Sequence, residues 1–516
     1  MRDLVRDYLS ESEDLMPFYA RPLSKLLEHL PEPSPWRPCL VREMRAYNEK
    51  IGSGGAFEGT ELTVVTGQQP ALFTGPMYTA YKALTAIKLA RRIEEHTRRR
   101  CIPIFWAASE DHDFEEAATA HFLTKKEEPY TLTYAPDSDV AGLPMYRVPL
   151  EAWVHEAIDC AMREVRKSEQ TEEIASFLHE SASVSGSLCE WSVRLLARMF
   201  RDTPLVLFAP HLPEARAIQA EVMREEIREP LETVRRLNVA GTALSGLGFS
   251  PQITKSEDEC SFFLEVEGRR RKVLFRENQF HLPEEAMTLS RNEMQGLLER
   301  SPERFSANVA LRPVVQQRLF GAAAYVGGPS EVTYWGQLKG VFERFGQPMP
   351  VVFPRAQCVL KTAKLDKLMK RLSLCVEDLG SPLERIEDRA LRGIAPDTVY
   401  QAVERGRTAI AGQFETLLET LETQDAVTRE MLEALAGRVE GEFERIQGTL
   451  VRRDAERVAT VQAQARRLQQ ALMPWRKPQE RVYTVFSFLF EHGWELIERL
   501  LNEIDTESFQ LNEVEL

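Results

Sequence analysis

Long apolar runs are missing from this chain of 516 residues. No stretch reaches the roughly 18 continuous apolar residues of a membrane-spanning helix, so no membrane partner is expected. An excess of basic charge is missing too. Lys and Arg number 65 against 79 Asp and Glu, a formal net charge of -14. That excludes a uniformly basic footprint, and no nucleic-acid partner is expected. Cysteine is scarce. Cys39, Cys101, Cys160, Cys189, Cys260, Cys358 and Cys375 are scattered without a CxxC pair. They read as small buried hydrophobes, not as a zinc knuckle or a disulfide framework. The leading run Met1-Arg2-Asp3-Leu4-Val5-Arg6-Asp7 has no signal-peptide apolar stretch, which points to a cytoplasmic protein. Neither GxGxxG nor GxxxxGK followed by Ser or Thr occurs, which disfavours a conventional NAD site or P-loop.

What is present is ordinary globular composition, 43% hydrophobic and 28% charged, with length for about two to four domains. The most informative stretch begins at Val64-Val65-Thr66-Gly67-Gln68-Gln69 and continues through Thr74-Gly75-Pro76-Met77-Tyr78. A helix follows over residues 79–93, with Ala80, Ala83, Leu84, Ile87 and Ala90 on one stripe. Next comes Ile104-Phe105-Trp106-Ala107-Ala108-Ser109-Glu110-Asp111-His112-Asp113. Strand, helix, strand is one βαβ unit, which brings both polar clusters to the carboxyl edge of a parallel sheet, where α/β folds bind ligands.

Further core strands are predicted over residues 205–208, 323–329 and 351–355. Residues 4–9 read as a short strand or turn, 22–30 as a short helix, and 40–51 as a helix. Residues 130–134 and 145–148 read as β-rich, with helices over 151–200. Phe262-Phe263-Leu264-Glu265-Val266 and Lys272-Val273-Leu274-Phe275 make a hairpin signature. A single helix is predicted over 331–345. The fold class is therefore α/β, a Rossmann-like parallel-sheet core with inserted segments at about 117–200 and 240–300. This core spans 1–385.

Residues 386–473 form a helical arm. Ile410, Phe414, Leu417 and Leu421, then Val461, Ala465, Leu468 and Leu472, recur in steps of three and four, which is coiled-coil spacing. Two antiparallel helices with a turn near Gln424 or Gly437 are expected, paired with a second subunit as a homodimer. Residues 474–516 are expected to pack back on the core.

Four clusters are candidates for chemistry. Thr66, Gly67, Gln68 and Gln69 with Thr74, Gly75 and Tyr78 suit an anion loop ahead of a helix N-terminus. Lys82 then faces either an anion or solvent. Asp111, His112 and Asp113 stand directly after a strand. His112 has the pKa for acid–base work near neutrality, with an adjacent carboxylate to orient it or hold an amine. About two members of the Glu110 to Asp113 run can face one ligand, and zinc ligation is disfavoured. Asn308 and Arg312 offer a carboxylate or phosphate clamp. Gly327, Gly328 and Glu331, with Arg355 after the last strand, complete the crevice.

The blocks VVTGQQPALFTGPMYTAYKALTAIKLA, PIFWAASEDHDFEEA, NVALRPVVQ, AAYVGGPSEVTYWGQL and MPVVFPR resemble, in order, the BshC family of bacillithiol biosynthesis, the cysteine-adding enzymes. They span the core from about residue 60 to 360. The resemblance implies a Rossmann-like core with a coiled-coil dimerisation domain. It implies that L-cysteine is joined to the glucosamine amine of glucosaminyl-malate, giving bacillithiol. The family core is likened to class I aminoacyl-tRNA synthetases, but this chain has neither a HIGH nor a KMSKS motif, only the basic echo Lys361-Thr362-Ala363-Lys364. Amide formation needs an activated carboxyl, for which ATP with Mg²⁺ is the candidate, and no tightly bound metal or organic cofactor is expected. On this reading Gly67, Gln68, Thr74 and Gly75 cradle anionic groups. His112 deprotonates the amine or assists the leaving group, Asp111 and Asp113 hold an ammonium, and Arg312 holds a malate carboxylate. The alternatives are a nucleotide-dependent ligase or nucleotidyltransferase for another acid and amine, or a noncatalytic coiled-coil scaffold.

Overall fold

The computed structural model describes residues 2–394, 397–420, 426–452 and 455–516. They divide into two compact units. The first contains the chain through Lys125, then Tyr130–Cys358 and Tyr483–Asn512; the second contains Lys126–Pro129, Val359–Val482 and Glu513–Leu516.

In the first unit β1 (Leu62–Gln68) is buried on both faces, because side chains alternate along a strand. Val64 packs with Ala86, Leu89 and Ile93 of α1 (Tyr78–Thr97). Val65 turns to the opposite cluster, with Ile104 and Trp106 of β2 (Cys101–Ala107). β3 (Val206–Phe208) and α2 (Pro213–Arg228) follow. The chain then builds an antiparallel sheet from β4 (Glu259–Val266), β5 (Arg269–Arg276), β6 (Gln279–Leu282), β7 (Met287–Leu289) and β8 (Phe305–Ala307), in the order β8-β4-β5-β6-β7. It returns to the core through α3 (Arg312–Phe320), β9 (Ala324–Gly327), α4 (Pro329–Trp335) and β10 (Val351–Pro354). A proline in the first turn marks the start of α2, α3 and α4, where a missing N–H costs nothing.

The core sheet is wholly parallel, in the order β10-β9-β1-β2-β3. The chain steps outward from β1 to β3, then crosses to the other flank of β1. The strand order thus reverses between β1 and β9, which opens a crevice at their carboxyl ends.

Three local expectations are corrected. Leu4–Leu9 is a helix, because Asp3 accepts the N–H groups of Val5 and Arg6 and Leu4 and Tyr8 bury one face. Met145–Arg147 is a 3-10 turn, not a strand. The Met145 and Tyr146 N–H groups bond instead to the Asp111 and Ser109 carbonyls, at 2.7 and 3.0 Å. The helix expected over 331–345 is two, since α4 ends at Trp335 and Lys339–Arg344 is separate. Between them the buried Gln337 accepts from the backbone N–H groups of Gln252 and Ile253, both at 3.0 Å. The helices Phe486–His492 and Glu495–Glu503 also belong to this unit, with Phe486 edge-on to Phe73 at 5.7 Å.

In the second unit α5 (Leu383–Ile394), α6 (Asp397–Thr420), α7 (Ala426–Arg452) and α8 (Ala455–Leu472) form antiparallel pairs. Glu404 meets Gln447 and Arg407 meets Glu440, each at 3.0 Å, while Arg429 donates to the Leu418 carbonyl at 3.3 Å. Val461, Ala465, Leu468 and Leu472 are buried. Helix α7 runs through Gly437, so no turn lies there. Leu421 and Gln424 lie outside the described residues. No helix among the described residues is long and apolar enough to cross a membrane.

Candidate active site

After β2 the chain makes a tight turn, with Ala108 N–H on the Gln68 carbonyl at 2.9 Å and Asp111 N–H on the Ala108 carbonyl at 3.0 Å. Successive side chains therefore part company. Glu110 turns inward and pairs with Arg216 of α2, both buried. Asp111 and His112 turn to a cavity of about 240 Å³. Asp113 caps the helix Phe114–Ala117 by accepting the Glu116 N–H. Three of the four ionisable groups thus border one space, Glu110 with its charge already matched by Arg216.

The other walls come from the inserted sheet and the start of α3. Arg270 on β5 lies over the Phe263 ring, 4.0 Å from its centroid. It donates to Ser306 Oγ at 2.8 Å and the Ala307 carbonyl at 2.6 Å, and its third nitrogen is 3.3 Å from His112 Nδ1. Asn308 Oδ1 accepts from Ala310 and Leu311, at 3.0 and 3.1 Å, which fixes the amide. Its Nδ2 is buried without a protein acceptor, and so is Nε of Arg312. Arg312 is anchored through Tyr334 Oη at 2.7 Å. Lys255 lines the same cavity and pairs with Glu259. Arginines outnumber free carboxylates here, so the cavity suits an anion.

Burial lowers the His112 pKa, and the Arg270 cation lowers it further against the opposing pull of Asp111 and Asp113. The ring is neutral near pH 7. Arg270 can only donate, so Nδ1 accepts and Nε2 carries the proton.

At the β1/β9 crevice a second group is locked internally. Lys82 of α1 is buried and donates to the Gly67 carbonyl at 2.9 Å and Gln68 Oε1 at 3.0 Å, and it pairs with Glu331. Glu331 also accepts from Tyr325 Oη at 2.6 Å and Gly328 N–H at 2.9 Å. Burial lowers the Lys82 pKa, with Glu331 opposing. Burial raises that of Glu331, but Lys82 outweighs it, so the carboxyl stays below its usual range. Lys82 therefore faces neither solvent nor a free anion site. Arg355 lies 5.5 Å above the Tyr78 ring centroid. Gly328 lies beside it, where a Cβ would meet Arg355 Nε at 3.5 Å, an ordinary contact.

The remaining predicted residues hold the scaffold. Thr66 Oγ1 donates to the Val326 carbonyl at 2.9 Å, between β1 and β9. Gly67 lets β1 approach β2, because a Cβ would stand 2.5 Å from the Trp106 carbonyl. Gln69 donates to the Asp113 carbonyl at 2.7 Å. The N–H groups of Thr74 and Gly75 are used within their own turn, each at 3.0 Å. Gly327 ends β9 and accepts from Arg355 N–H at 2.8 Å.

The cavity thus gathers Asp111, His112, Asn308 and Arg312. It does not gather Asp113, the Thr66 to Tyr78 group, Gly327, Gly328, Glu331 or Arg355. Sequence reasoning missed Arg270 and Lys255. Hairpin alternation carried a signal for Arg270, which falls opposite Glu265 and on the same face as Phe263. Nothing local marks Lys255.

Comparison with known proteins places both units. The family model described as the bacillithiol biosynthesis BshC N-terminal Rossmann-like domain matches residues 1–356. That of the BshC C-terminal coiled-coil domain matches residues 358–516. Three relatives carry the name "Putative cysteine ligase BshC". One from Salinibacter ruber is 31% identical over 87% of this chain and 81% of its own length. One from Heliobacterium modesticaldum is 31% identical over 86% and 81%. One from Bacillus pumilus is 25% identical over 96% and 95%.

Proposed function

Since the chain belongs to the BshC family of bacillithiol biosynthesis, we propose that it is a cysteine ligase joining L-cysteine to the glucosamine amine of glucosaminyl-malate, the step that yields bacillithiol. The observation that carries this reading is the meeting of His112 and Asp111 with two unmatched buried donors, Asn308 Nδ2 and Arg312 Nε, in one cavity. Buried donors without acceptors are the mark of a site that a ligand's oxygens complete. Malate supplies two carboxylates, and Arg312, Arg270 and Lys255 supply the countercharge.

A free carboxylate is a poor acyl electrophile, so a cysteine carboxylate oxygen first attacks the terminal phosphorus of ATP. The new O–P bond forms as the bond to the bridging oxygen breaks, and ADP leaves with the electron pair, Mg²⁺ arriving on the nucleotide. The sugar amine then attacks the carbonyl carbon. The C–N bond forms, the C–O bond to phosphate breaks, and the leaving phosphate keeps the electron pair. Asp111, which is partly exposed, takes the ammonium proton. His112 serves as a donor through Nε2–H to the leaving oxygen, because its lone pair is directed at Arg270. Of its two candidate roles, assistance to the leaving group fits this tautomer. The cavity is small for a whole nucleotide and suits one acidic moiety.

The protein acts as a homodimer through its coiled coil. Ile410, Leu417, Met431, Leu435 and Ile446 stay exposed on α6 and α7, an apolar surface that a second copy would cover.

The test is mass-spectrometric detection of product from glucosaminyl-malate, cysteine and ATP-Mg²⁺, beside a reaction without ATP. ATP-dependent bacillithiol formation, lost in Arg312→Ala and His112→Ala that remain folded, is expected. Product in both reactions removes the activation step, and full activity in both variants removes the site.

A further inference from the structure

A linked set of side chains runs behind the cavity, between the turn and the sheet that line it and apart from the Lys82 group. Ser109 is fully buried in the turn that carries Asp111 and His112. Its Oγ is 2.7 Å from Nδ1 of His211, three residues past the end of β3. The His211 ring lies flat on Tyr146, with centroids 4.7 Å apart and planes 9° from parallel. Tyr146 binds back to the same turn through its N–H, 3.0 Å from the Ser109 carbonyl. Its hydroxyl donates to Glu265 Oε2 at 2.9 Å. Glu265 stands on β4 opposite Arg270 of β5, two residues from Phe263. Glu265, Phe263 and Arg270 therefore share one face of the inserted sheet. Arg147 pairs with Glu265 at 2.6 Å and steadies that end.

A Ser–His contact invites reading as a nucleophile and its base. Ser109 has no exposed surface. Burial, with Arg216 nearby, takes the His211 pKa down to about 4, too weak a base to activate a hydroxyl. A positional role remains. The cavity has one wall on the core turn, with Asp111 and His112, and another on the inserted sheet, with Phe263 and Arg270.

We propose that Ser109, His211, Tyr146 and Glu265 form a strut between these walls, which sets their separation and so holds His112 against Arg270. These four are positioning residues. The proposal rests on the cavity being the reaction site only for its consequence in turnover; the geometric claim stands without it.

The experiment follows the titration of His112 by NMR in the full-length protein labelled with ¹³C-histidine. The His112 signal, one of nine histidines, is assigned through His112→Gln. The groups around its ring are Arg270, Asp111, Asp113, Glu284 and the Phe263 face. In Tyr146→Phe, which removes one hydroxyl, and in His211→Ala, the Arg270 cation recedes. The His112 midpoint then moves up towards its ordinary value while thermal stability confirms folding. Turnover falls by about 10- to 100-fold with KM little changed. His211→Asn, whose Oδ1 stands in for Nδ1, restores part of both. An unmoved midpoint in folded Tyr146→Phe and His211→Ala overturns the strut. A moved midpoint with unchanged ligation keeps the strut and removes the cavity as the reaction site.

Discussion

Arg312 Nε and Asn308 Nδ2 are buried donors without protein acceptors, and such a group costs about 1–3 kcal/mol until it is matched. A bound carboxylate relieves that cost, so Arg312→Ala is expected to lower kcat/KM by roughly 30- to 150-fold, about 2–3 kcal/mol, without loss of stability. Steady-state kinetics on glucosaminyl-malate measures it. Lys82 behaves oppositely, because its partners are all internal. Lys82→Met strands the Glu331 carboxylate and destabilises by about 3–5 kcal/mol in urea unfolding. The double variant with Glu331→Gln recovers much of this. His211 links residue chemistry to pH. Its folded pKa, about 4, lies below the ordinary 6.5, so the unfolded chain binds more protons between these values. Stability from this group is fully present above pH 6.5 and is lost as pH falls towards 4. His211→Asn flattens the fall of the urea midpoint across that window relative to the parent; equal slopes would refute the assignment.

The elements divide by how locally their shape is set. β1, α1 and β2 were legible because apolar residues at strand and helix periods point to opposite sheet faces, and the structure uses both. Leu4–Leu9 was misread because one capping carboxylate, Asp3, decides a six-residue element that periodicity cannot resolve. Met145–Arg147 was misread because its N–H groups find their partners on the turn at 109–111. The coil was legible from its steps of three and four. Its α8 stripe is buried, whereas Ile410, Leu417, Met431, Leu435 and Ile446 stay exposed. Replacing Ile410 and Leu417 together with Glu is expected to convert a dimer to a monomer by sedimentation, since two charges on an apolar seam each oppose association. An unchanged mass would place the dimer contact elsewhere or show that the chain is monomeric throughout.

At the scale of the whole molecule, a ligand that binds only the folded state raises the melting temperature. Saturation at about 100 times Kd adds about 2.7 kcal/mol. Glucosaminyl-malate is expected to give such a shift in the parent and a much smaller one in Arg312→Ala; equal shifts would mean that the acid binds elsewhere. The sequence by itself determined the βαβ core, the helical arm and the presence of polar groups at strand ends, because hydrophobic period and chain order are local properties. It also carried the family, through long blocks in fixed order. Only the tertiary structure decided which polar groups meet. Asp111 and His112 open onto the cavity, Glu110 borders it while paired with Arg216, and Asp113 leaves it, because one tight turn sends neighbours in different directions. Arg270, more than 150 residues from His112, completes the site because the inserted sheet folds over the edge of the core. Lys82, legible only as a choice between anion and solvent, is taken by Glu331 in the first turn of α4, just after β9. Contacts of such sequence separation depend on how the layers stack, which no local pattern records.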